Sequence, residues 1–61
     1  MNIAALSTRK QRIIAIAEEL VSGMVAKGAV DPGDESAMDA ACSQAVADAA
    51  ALYDAAIEYI S

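Results

Sequence analysis

One stretch near the middle of this 61-residue chain, "KGAVDPGDE", limits its fold more than any other feature. It holds the only proline and two of the three glycines, in a sequence otherwise rich in alanine, the residue that most favours helix. Gly28 suits a left-handed C-terminal cap, and Pro32 cannot continue a helix that needs its N–H. Asp31 before Pro32, or Asp34 just after Gly33, can cap a second helix, and Asp34 with Glu35 puts negative charge at its positive end. The prediction is one all-α domain over residues 1–61. Helix one runs from about residue 2 to 27, a turn fills 28–33, and helix two runs from about 34 to 60.

Before the turn, Ile13, Ile16, Ala17, Leu20, Val21, Met24 and Val25 recur at helical spacing over an arc of about 180°, with Arg12, Glu18, Glu19, Ser22 and Lys27 on the other half. Ile3 and Leu6 fall on the same arc, which extends the helix back to Asn2 with Arg9 and Lys10 interrupting the stripe. The alternative is a start at Ser7 or Thr8, where Thr8 and Gln11 have the spacing of a capping box. Three bases in a first turn oppose the helix dipole, which favours the earlier start.

After the turn, Met38, Cys42, Ala45, Ala49, Leu52, Ala56 and Tyr59 alternate steps of four and three, the seam spacing of a coiled coil, and Ala41, Val46, Tyr53, Ile57 and Ile60 widen it. Alanines on the seam allow helix approach near the close end of the range of about 8 to 10 Å. In an antiparallel hairpin the bulk at Leu52, Tyr53, Ile57, Tyr59 and Ile60 lies opposite Ile3, Leu6 and Ile13. Two helices share one interface, so part of each stripe stays wet in a monomer of this size, and a homodimeric four-helix bundle is the simplest closure. The expected core and self-association set is Ile13, Leu20, Met24, Met38, Ala45, Ala49, Leu52, Ala56, Ile57 and Tyr59.

Nine acids against four bases give a net charge of -5, which argues against direct nucleic-acid binding and against anionic membranes. The charge is also split along the chain. All four bases lie in residues 1–30, whereas residues 31–61 carry seven acids and no base. Asp39 and Asp48 border the second stripe, and Asp54 and Glu58 stand four apart on its far side, a like-charge spacing that costs a helix about 0.2 to 0.5 kcal/mol. Those four acids are the candidate partner-binding residues, set against the plainer reading of a solvated face, and Tyr53 joins them as an interface rim, with an ordinary core edge as the equal alternative.

Other classes find little support. The charge-free segments fall short of the roughly 20 apolar residues of a membrane span, and "IIAIA" is too short for a signal peptide, so a cytoplasmic setting is expected. With no histidine and the single Cys42, one chain can build neither a disulfide nor a zinc cluster, and no catalytic residues, metal ligands or cofactor site are expected. "SGMVAKG" has the wrong order for a phosphate loop, and "DPGDESAMD" lacks the spacing of a calcium loop. Cys42 on the seam, with no base on its helix, reads as a buried inert thiol.

"TRKQRIIAIAEELVSGMVAKGAV" resembles the opening helix of TetR-type repressors, with a basic start before an apolar stripe that ends in glycine. The chain then departs from that family, because "AMDAACSQAVADAA" has neither the glycine turn of a helix-turn-helix nor a base to meet phosphate. In size, acidity, alanine content and helical character the chain resembles the small accessory proteins encoded by phages, including anti-CRISPR and other host-factor inhibitors. That resemblance implies a non-enzymatic inhibitor or adaptor acting in the host cytoplasm on a protein partner, with a basic nucleic-acid-binding protein among the candidates. The competing expectation is a structural or oligomerisation component that binds through its apolar stripe.

Overall fold

The computed structural model describes residues 7–61 of the chain. Two helices account for nearly all of them: α1, Thr8–Ala26, and α2, Glu35–Ile60. They pack on each other as an all-α helical hairpin.

Helix α1 begins at Thr8, and the expected start near residue 2 lies outside the described residues. Ser7 is extended (φ -62°, ψ 156°), and its Oγ accepts a hydrogen bond from the Lys10 backbone N–H at 3.2 Å. A hydroxyl that satisfies one of the orphan donors of the first turn sets the boundary there, so the cap is Ser7 and not Thr8 with Gln11. The expected stripe residues Ile3 and Leu6 lie outside the described residues.

At its other end α1 closes in a Schellman motif. Gly28 N–H donates to the Val25 carbonyl at 3.0 Å and Ala29 N–H to the Met24 carbonyl at 2.9 Å, with Gly28 at φ +77°. Asp31 Oδ1 then accepts from Gly33 N–H at 2.9 Å, and Asp34 caps α2 by accepting from Ala37 N–H at 3.1 Å. Each acid of the turn therefore has a structural task.

The packing row on α2 is steeper than the coiled-coil seam. Ala41, Ala45 and Ala49 are buried at a constant step of four, and half-buried Tyr53 continues the row. On α1 the same step links buried Ile13 and Ala17 to partly buried Val21. A short pair of helices follows the rows four residues apart, whereas the alternating seam belongs to helices that supercoil over several heptads. Within the expected set Ile13, Ala45 and Ala49 are core, and Met24 and Met38 are half-buried. Leu20, Leu52, Ala56 and Tyr59 lie off these rows and are exposed, Tyr59 by 93%, and Ile57, four past Tyr53 on the α2 row, is exposed as well. Cys42 is corrected from buried to exposed for the same reason: it sits one residue past Ala41, about 100° around the helix.

Candidate functional site

Among the described residues five are buried in the core, of which four are alanines and the fifth is Ile13. A hairpin zipped on such small side chains leaves several larger apolar groups outside the contact, while Ile16, Val21 and Tyr53 pack partly against it. Leu20, Val46, Leu52, Ile57, Tyr59 and Ile60 are all exposed, Val46 by 47% and Leu52 by 56%. The residues that sequence bulk would assign to a core are thus available at the surface.

Two grooves flank the helix pair. The larger, about 470 Å³, is lined by Ile14, Ala17 and Val21 of α1 and by Cys42 and Val46 of α2, with Glu18 and Ser22 as its polar members. The other, about 320 Å³, is more polar in its residues: Glu19, Lys27, Gln44 and Asp48 join Leu20, Gly23, Met24 and Ala45. From Val46 an apolar stripe runs on along α2 through Ala50, Tyr53, Ile57 and Ile60 at steps of four and three, with Ala50 and Tyr53 partly packed against the core and Ile57 and Ile60 exposed.

The candidate acidic residues are not equivalent. Asp54 is clasped by Arg9 across the hairpin: Arg9 Nε donates to Asp54 Oδ1 at 3.0 Å and Arg9 Nη2 to Oδ2 at 2.7 Å, a bidentate pair on the surface. The guanidinium hydrogen bond holds the Asp54 carboxyl below its ordinary pKa, and the same bond raises that of Arg9. The clasp also answers the dipole objection to a basic first turn. No acid lies in the first turn of α1, and α2 delivers a carboxylate beside it. Asp48 accepts from Gln44 Nε2 at 2.9 Å along its own helix. Asp39 and Glu58 are exposed, and Tyr53 packs against the core instead of standing free at a rim.

Arg9 is the residue that sequence reading passed over. A usable signal existed, since reflecting α1 about a turn centred near residues 30 and 31 brings Arg9 to the level of the low fifties of α2, where Asp54 waits. Among the described residues no group of three or more His, Cys, Asp or Glu side chains is placed to hold a metal ion, and no helix is long and apolar enough to cross a membrane. Comparison of the chain with known protein families, with curated proteins and with solved structures finds no match.

Proposed function

We propose that this chain is a non-enzymatic protein-binding module that makes its contact through the apolar groove and the stripe on α2 that extends it. One observation carries this reading: among the described residues the buried core is four alanines and one isoleucine, while Leu20, Val46, Leu52, Ile57, Tyr59 and Ile60 are displayed on the surface. Weighted by exposure, these amount to between three and four fully exposed large apolar side chains, whose burial is worth about 1.5 to 3 kcal/mol each. Covering even half of that area supplies a driving force comparable to the whole stability expected of so short a chain.

A second reading rests on the acids. Asp39, Asp48 and Glu58 are exposed on a helix with no base, a surface suited to a basic partner such as a nucleic-acid-binding protein, in the manner of an inhibitor. Asp54 supports it less, because its charge is already met by Arg9. Either activity suits a cytoplasmic protein with one unpaired thiol.

The two readings separate on a comparison of variants. With the protein immobilised and exposed to cell lysate at low and high salt, Ile57→Asp abolishes capture and Glu58→Gln leaves it unchanged if the stripe makes the contact. Capture that collapses with salt and with Asp39→Asn and Glu58→Gln, yet survives Ile57→Asp, overturns the apolar reading in favour of the acidic one.

A further inference from the structure

Resting on the apolar reading above, we infer that the occupant of the larger groove is a second copy of this chain, laid groove to groove so that α1 of each copy lies against α2 of the other. Size is the first argument. The 19 residues of α1 span about 28 Å, and two helices side by side are about 20 Å wide, so the groove face has a flat footprint of about 570 Å². Side chains that interdigitate over such a footprint bury close to the roughly 800 Å² per partner of a stable interface. A copy of the hairpin matches that face in length and in width, and a lone helix seated in the groove would leave the outer flanks of both helices wet.

Charge decides the arrangement. Every base of the chain lies in its first half, and the second half carries only acids. Within one hairpin the pair Arg9–Asp54 joins the helices, and among the described residues Lys10 and Arg12 form no ion pair, while Lys27 lines the opposite groove. Placing α2 beside α2 of the second copy brings two base-free acidic helices together. Placing each α2 between two α1 helices alternates the sign around a four-helix bundle and sets acids facing bases. The face is the Ile14, Val21, Cys42 and Val46 side, whose one charged member is Glu18, and not the other, where Glu19, Lys27, Gln44 and Asp48 would all be desolvated.

The test uses the full chain and three readouts. Light scattering across a concentration series gives a mass twice that of the chain, and Val46→Glu returns it to the monomer mass with helical circular dichroism retained, since Val46 is half exposed in the hairpin. Gln44→Glu, on the opposite groove, leaves the dimer intact. Alkylation of Cys42 by a maleimide slows about tenfold or more between dilute and concentrated protein, because the thiol is exposed in the single hairpin and covered in the pair. For the arrangement, Lys10→Glu weakens the dimer, and adding Glu58→Lys to it restores part of the loss. A monomer at every concentration overturns the inference, as does dissociation by Gln44→Glu and not by Val46→Glu, or a Cys42 rate independent of concentration; a dimer in which Lys10→Glu is without effect overturns the alternation of helices. A monomeric chain whose lysate capture still depends on Ile57 refutes the second copy and leaves the binding module standing, so the two failures are distinct.

Discussion

Replacing Ile13 with alanine tests the core directly, because among the described residues Ile13 is the one large side chain of the five that are buried. The substitution removes three carbons, about 2.4 kcal/mol at the usual value per buried methylene, and core Ile→Ala changes cost about 2 to 5 kcal/mol in all. Its sequence neighbour Ile14 and the core residue Ala17 both line the open groove, so the gap can partly collapse and the cost belongs near the low end, about 2 to 3 kcal/mol. For a chain of this length, with a total stability of about 3 to 9 kcal/mol, that is a large fraction, and it corresponds to a drop in melting temperature of about 10 to 20 °C. Urea titrations followed by circular dichroism, at one fixed protein concentration, measure it. Leu20→Ala is the comparator. Leu20 is 38% exposed and loses about 1.5 kcal/mol by the same transfer value. If Leu20→Ala costs as much as Ile13→Ala, the packing row has been assigned to the wrong face of α1.

Three further outcomes follow from the turn and the clasp. Gly28→Ala destabilises by about 1 kcal/mol in the same titration, because φ +77° is strained for any residue with a Cβ, although there is space for the atom itself. Asp34→Ala removes the N-cap of α2 and costs about 0.5 to 2 kcal/mol, and Asp34→Asn restores most of it. Asp54 has a folded pKa below its unfolded value, so its contribution to stability is full above the ordinary aspartate pKa and is lost as pH falls through the lowered folded value. Asp54→Asn should therefore flatten the acid limb of the stability profile in low salt, and an unchanged limb would show that the clasp is not formed in solution.

The hairpin itself was legible in the residues of one short segment. Gly28, Pro32 and Asp34 act locally, through a left-handed dihedral, a missing N–H and a capping carboxylate, and each has the structural role its chemistry predicts. Ser7 was legible in the same way, although the longer apolar arc argued for a different start. Cys42 and Tyr53 show where such reading stops. Both lie on the apolar side of α2 in any helical plot, and a step of four in place of alternating fours and threes exchanges their environments. Periodicity measures the width of an apolar stripe and cannot say which line within it faces the partner helix.

Local chemistry thus determined two helices, their caps and an apolar side on each, because those depend on residues within a turn of one another. Tertiary structure alone decided that Ala45 and Ala49 cluster with Ile13 and Ala17 of α1 and that Val46 and Leu52 stay exposed, since small side chains let the helices close along a single row and leave bulk outside it. It also decided the fate of Asp54, placed on the far side of α2 by its position in the helix and brought into the hairpin by an arginine 45 residues away. A long side chain reaching across an antiparallel pair depends on register, and register is a property of the folded pair.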